Sequence, residues 1–162
     1  MSWLLDGIPL HPLFVHASVV AIPVVAILAV LVSWNVKARS WLGMVFPLLA
    51  SGTLIAALLT GAAGEALATQ VEQTDALTAH TSIADMAVAG AFLLVLSAWA
   101  QWVWDHRYVR ASRGRTVTKV TNALTVRKVS TTIAVVQTLI AVFAVVAIVI
   151  VGDTGARAVW QG

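Results

Sequence analysis

The sequence predicts an all-α integral membrane protein, a four-transmembrane-helix bundle with both termini extracytoplasmic. Three observations predict it. Of 162 residues, 60% are hydrophobic and only 10% charged, against about 25% charged in an ordinary soluble domain. Four apolar runs reach the about 20 residues that cross roughly 30 Å of hydrocarbon at about 1.5 Å per residue. The basic residues fall almost entirely on one side of those runs.

The whole chain, residues 1–162, reads as a single membrane domain with spans at about 13–34, 41–63, 81–104 and 129–151. Each run is too long for a membrane β-strand, which leaves helices as the way to satisfy the backbone in lipid. The first has no Lys or Arg before it, only Asp6, and Lys37 and Arg39 follow it, so it reads as a span and not as a signal peptide. Pro23 and Pro47 fall inside spans, where each removes a backbone donor and is expected to bend its helix. In the second span Gly52, Ala56, Thr60 and Gly64 recur every four residues, a face on which a neighbouring backbone can approach closely. The third span leads into a basic loop, residues 105–128, in which Val117, Val120 and Leu124 have helical spacing and fit the membrane surface. The fourth span is expected to end at Gly152 and Gly155, with Trp160 folding back onto the interface.

Charge sets the direction. Lys37, Arg39, Arg107, Arg110, Arg113, Arg115, Lys119, Arg127 and Lys128 lie between spans one and two or three and four, leaving Arg157 alone on the other side. By the positive-inside rule the basic side is cytoplasmic, which places the protein in the cell inner (plasma) membrane with both termini outside. Trp34, Trp41, Trp99, Trp102 and Trp104 cluster at the cytoplasmic boundary and Trp3 and Trp160 at the outer one, as interfacial anchors. The basic loop carries no interleaved aromatic residues after Tyr108, so nucleic acid is not an expected partner; the lipid bilayer is. The absence of cysteine excludes disulfides, thiolate metal sites and covalent c-type haem attachment.

This topology brings His11, His16, Glu65, His80 and Asp85 to one membrane depth at the outer end, while His106 lies apart in the basic loop. His11 and His16 are separated by about 140° on a continuous helix, so they cannot share a face. Pro12 argues for His11 in a non-helical lead-in segment. Four readings of the cluster stand side by side. His16 and His80, on diagonal spans, would be axial ligands of a haem b. Alternatively His11, His16 and His80, with Glu65, would bind a single metal such as copper or zinc. The same groups would also serve as a proton relay, or simply cap helix ends at the headgroups. Ser18, Ser51 and Thr60 are the hydroxyls in or near the spans, and none has a base at motif spacing, so no catalytic constellation is seen.

Four stretches carry a resemblance: "GIPLHPLFVH" before span one, "LTGAAGE" closing span two, "LTAHTSIAD" opening span three and "GDTGARAVW" after span four. Together they resemble a family of small bacterial four-helix membrane proteins catalogued as domain of unknown function 2231. The resemblance covers nearly the whole chain outside the basic loop and implies a four-span bundle with paired histidines at its start. Residue by residue it points to His11, Pro12, His16, Gly61 and His80. Many members end with a histidine after span four, which this chain lacks. The resemblance supplies no activity. Two functions are therefore expected in parallel. One is a haem- or metal-binding redox module at the outer leaflet, exchanging electrons with a periplasmic or quinone partner. The other is a non-catalytic accessory subunit of a larger membrane assembly such as a respiratory chain complex.

Overall fold

The computed structural model describes residues 4–5, 8–109 and 120–160. Trp3, Asp6, Gly7, Arg110, Arg113, Arg115, Val117 and Lys119, which enter the sequence reading, lie outside them. A two-residue antiparallel pairing of β1 (Leu4–Leu5) with β2 (Ile8–Pro9) leads into α1 (Leu10–Trp34). The short α2 (Val36–Leu42) follows, then α3 (Val45–Ala68), α4 (Asp75–Ile83), α5 (Asp85–Trp104) with a π turn at Asp105–Val109, and α6 (Val120–Trp160). Among the described residues four helical stretches are long and apolar enough to cross a membrane: Leu10–Trp34, Val45–Ala68, Asp75–Tyr108 and Leu124–Ala158.

Local chemistry explains where the elements depart from the expected spans. The second span starts at Val45 and not at 41, because a separate helix comes first. Asn35 caps it, its side chain accepting from Lys37 N at 2.9 Å and Ala38 N at 3.1 Å, and Gly43, at φ 46°, ends it. Pro47 consequently lies in the first turn of α3, where its missing N–H costs nothing. The third stretch starts early because Thr74 accepts from Leu77 N at 3.2 Å and caps α4. His11 is not in a non-helical lead-in: α1 begins at Leu10, and Pro12 occupies its first turn. The fourth helix does not stop at Gly152 or Gly155. It runs unbroken to Trp160, about 61 Å at about 1.5 Å per residue.

The helices form a ring in which α1 packs against α3 and α6, and α5 against the same two. Spans one and three are therefore diagonal, as the sequence reading required. The packing is inverted relative to a soluble bundle. The core is built from Ala26, Ala29, Ala50, Ala57, Ala91, Ala98, Ala141 and Ala144 with a few larger residues such as Ile22 and Leu94. Large side chains point outward instead, Ile27 at 59% and Leu139 at 65% exposed among them. In lipid, outward-facing Leu and Ile lose nothing, and the helices gain from close van der Waals contact between small residues. Gly90 brings α5 close onto the α6 backbone, where an added Cβ would sit 2.9 Å from Ala144 Cα.

Indoles add polar ties between spans. Trp34 Nε1 donates to Thr138 Oγ1 at 3.0 Å, Trp99 Nε1 to Ser51 Oγ at 3.2 Å and Trp104 Nε1 to Ser130 Oγ at 3.0 Å. These tryptophans tie neighbouring helices together. At the same end Arg39 of α2 gathers three elements. Its Nε donates to Val32 O at 2.7 Å and its Nη2 to Ser33 O, capping the last turn of α1, while Nη1 donates to Asp105 Oδ1 of the π turn at 3.1 Å.

Substitutions at these contacts should separate close approach from polar ties. Gly90→Ala forces a Cβ onto the α6 backbone and is expected to cost about 1–3 kcal/mol in detergent unfolding. Gly152→Ala, whose Cβ meets nothing within 4 Å, is expected to be neutral or stabilising by less than about 1 kcal/mol. Asp105→Ala leaves a largely buried guanidinium without its counter-ion and is expected to cost about 3 kcal/mol. The double variant Arg39→Ala/Asp105→Ala should cost less than the sum of the singles, as a double-mutant cycle would measure.

Candidate functional site

The polar residues that can do chemistry collect at the end of the bundle opposite Arg39. The β1–β2 pairing leads into α1 there, and α3 ends, α4 begins and α6 ends at the same level. His11 faces inward from the first turn of α1. Its Nδ1 lies 3.0 Å from Thr60 O on α3. A carbonyl only accepts, so Nδ1 carries a proton and donates; in the neutral ring the lone pair then lies on Nε2. The ring lies on Gly64, one turn further along α3, where an added Cβ would be 2.8 Å from His11 Cε1. The glycine of "LTGAAGE" that matters is thus Gly64. Gly61 has nothing within 4 Å of its would-be Cβ. Neither stops the helix, which continues through Glu65 to Ala68.

His80 repeats the arrangement on the other side of the bundle. It lies on α4, and its Nδ1 is 3.2 Å from Thr154 Oγ1 on α6. The Thr154 hydroxyl donates to its own helix, at 3.1 Å from both Ile150 O and Val151 O. Its proton is committed there, so the hydroxyl oxygen accepts from His80 Nδ1–H, and in the neutral ring the lone pair of His80 too lies on Nε2. The ring rests on Gly155, whose added Cβ would be 3.1 Å from His80 Cε1. This contact accounts for the glycine inside a continuous helix: it is a recess for an imidazole, not a helix stop.

Below His11 a hydroxyl pair continues the polar layer. Ser18 Oγ is 2.8 Å from Thr60 Oγ1, and Thr60 Oγ1 donates to Ala56 O at 2.8 Å, so Ser18 is the donor between them. The two hydroxyls are tied to each other, and Thr60 to its own backbone.

The remaining sequence candidates fall elsewhere. His16 is exposed, and its Nδ1 bonds back to Pro12 O at 2.6 Å within its own helix. The angular separation of His11 and His16 holds, and it is His11 that turns inward. Glu65 and Asp85 are both exposed. Among the described residues no three His, Asp or Glu side chains gather closely enough to hold a metal ion, so His11, His16, His80 and Glu65 do not form one donor set. Arg157 pairs with Asp153 at 2.9 Å on the surface of α6. His106 stacks on Trp102 at the arginine end, with ring centroids 5.1 Å apart.

Sequence reading missed Thr154 and Gly155 as partners of His80, and missed a buried amide pair, Gln101 and Gln137, at the arginine end. A signal was present for each. Thr60 and Gly64 are matched by Thr154 and Gly155 at the far end of another span, and Gln137 is the lone amide in an otherwise apolar run.

Comparison with known proteins gives a family and no closer relative. No curated protein and no solved structure matches the chain. The family described as predicted membrane protein (DUF2231) matches residues 7–162. That match takes in both imidazoles, both glycine recesses and all four candidate spans, and the chain belongs to this family.

Proposed function

We propose that the chain is a redox module of the inner membrane whose His11 and His80 imidazoles ligate a transition-metal centre, with haem b iron as its electron-carrying form. The observation that carries this reading is the matched state of the two rings. Each donates Nδ1–H to a fixed acceptor, Thr60 O or Thr154 Oγ1, and each keeps its Nε2 lone pair. A ring nitrogen engaged in this way fixes tautomer and orientation and makes the other nitrogen a better ligand. Neutral imidazoles suit iron and copper, and bundles build such sites from side chains on facing helices. Of the expected His16–His80 pair, His80 keeps its place and His11 replaces His16, because His16 is turned to the exposed face.

The charge distribution supports the direction. With Lys37, Arg39, Arg107, Arg127 and Lys128 at the opposite end, the positive-inside rule puts the imidazole end outside. A centre there would exchange electrons with a periplasmic or membrane partner.

A second reading, an accessory subunit of a larger assembly such as a respiratory chain complex, has one observation in its favour. An open apolar groove of about 400 Å³ runs between α1 and α3, floored by Ala17, Ala21, Gly52 and Ala56. A partner helix with small residues would fit it at the backbone distance such motifs allow.

Absorption spectra of the purified protein, oxidised and dithionite-reduced, with metal analysis on the same sample, test the main reading. A reduced α-band or a stoichiometric metal is expected, lost in His11→Ala and in His80→Ala and kept in His16→Ala. Gly64→Leu and Gly155→Leu should weaken the same signal by displacing the rings. No band and no metal, or a signal indifferent to His11 and His80, would overturn it. Native co-purification of the same sample with a partner that Gly52→Leu releases would support the second reading.

A further inference from the structure

The arginine end holds a buried polar network that the imidazole site does not use. Gln137 of α6 is fully buried, at 0% exposure, in the middle of an apolar helix. Its Nε2 finds no hydrogen-bond partner among the described residues. An unpartnered amide donor costs on the order of 2 kcal/mol or more in an apolar surrounding, so buried polar groups that persist are paired with protein or with internal water.

The network dictates which atom is left over. Gln101 of α5 satisfies all its neighbours in one amide orientation only. Its oxygen accepts from Arg39 Nη2 at 3.2 Å and shares the Nε proton, at 3.1 Å, with Val32 O, and its nitrogen donates to Ser33 Oγ at 3.3 Å and to Gln137 Oε1. The reverse orientation points the amide nitrogen at the guanidinium, donor against donor. The direction of donation then runs one way: Arg39 to Gln101, Gln101 to Gln137, and Gln137 Nε2 onward to an acceptor. A permanently charged guanidinium at the head of this chain polarises each link, so the last N–H group favours an oxygen lone pair.

A second observation offers a source for that oxygen. A cavity of about 90 Å³ lies against Arg39 and Gln101 and ends one side chain short of Gln137; Ser40, Trp102, Asp105 and His106 also line it. Ser40 and His106 are exposed, so its mouth is at the surface, and Gln101 forms its inner wall. The space is ample for several waters, and its walls supply their hydrogen-bonding partners. The π turn at Asp105–Val109 shapes the mouth by widening the helix where Asp105 meets Arg39.

We propose that this cavity is a hydrated vestibule, and that Gln137 binds an internal water at its foot, one side chain beyond Gln101. Solvent from the arginine end thereby reaches the level of Gln137 and stops. Ala141 and Ala144, the next inward-facing residues of α6, belong to the apolar core with Leu94 and Ala29.

The chain has no cysteine, so single cysteines can be placed without background. Ser33→Cys, Gln137→Cys and Ala144→Cys in proteoliposomes are treated with a small charged methanethiosulfonate reagent from each side in turn. Modification of the first two from the arginine side, with Ala144→Cys inert, is expected. Gln137→Cys no more reactive than Ala144→Cys, or reactive only from the histidine side, would overturn the proposal. In the unmodified protein, NMR of the Gln137 side-chain NH₂ should show a cross-peak to water, which keeps the test decisive if Gln137→Cys does not fold. A Gln137 NH₂ without water contact that slows to the exchange rate of the apolar core would contradict it equally.

Discussion

Everything in this bundle depends on how closely α5 and α6 approach at Gly90 and Ala144. In water such a contact would be a minor detail of a core held by hydrophobic burial. In hydrocarbon, burial of apolar side chains supplies little, because lipid tails are as apolar as leucine, and association rests on short van der Waals contacts and on polar ties. The Cβ of an alanine at position 90 would fall 2.9 Å from the Ala144 backbone. The alanine-lined core and the outward-facing Leu, Ile and Val follow from the same constraint.

Close approach leaves little interior volume, so the polar chemistry is displaced to the two ends. At one, Thr60 and Thr154 hold imidazoles against Gly64 and Gly155. At the other, Arg39 and Asp105 cap α1 and anchor the amides of Gln101 and Gln137. Between them lies an apolar layer around Ile22, Ala26, Ala91, Leu94 and Ala144. The buried hydroxyls of Thr53 and Ser97 are each bonded back to their own helix, at Leu49 O and Leu94 O. That layer separates the ends electrically and chemically. Among the described residues this layer presents to the bundle axis hydroxyls already bonded within their own helices. The unusual length of α6 fits this division. Residues beyond Val151 serve the imidazole end, and residues before Ala134 reach Trp104 at the arginine end.

The number and sequence of the spans were legible because length and hydropathy alone decide them, and the diagonal placement of spans one and three followed from connectivity. Helix ends were less so. Asn35 and Gly43 are an ordinary cap and turn, yet residues 35–40 were read as a plain connection between spans one and two, and the end of α2, Trp41 and Leu42, was taken into the second span. Gly152 and Gly155 misled for the opposite reason. A glycine near a helix end reads as a stop, and only the position of His80 reveals that Gly155 is a recess. Histidine geometry was half legible. The about 140° between His11 and His16 showed that just one could turn inward, but which one depends on Thr60 O, a backbone atom that no sequence pattern marks. The Arg39–Asp105 pair joins residues 66 apart in sequence; the sequence placed Arg39 between spans one and two and residue 105 at the start of the basic loop, and nothing local links the two.

The central claim is that His11 and His80 are held as matched neutral ligands with free Nε2 atoms. Nitrogen NMR of the metal-free protein, labelled with ¹⁵N in the histidine rings, reads this directly. Both rings are expected to show a protonated Nδ1 and an unprotonated Nε2, and both Nε2 signals are expected to shift together when metal or haem is added. An Nε2–H tautomer at either ring, or Nε2 signals that ignore both additions, would contradict it.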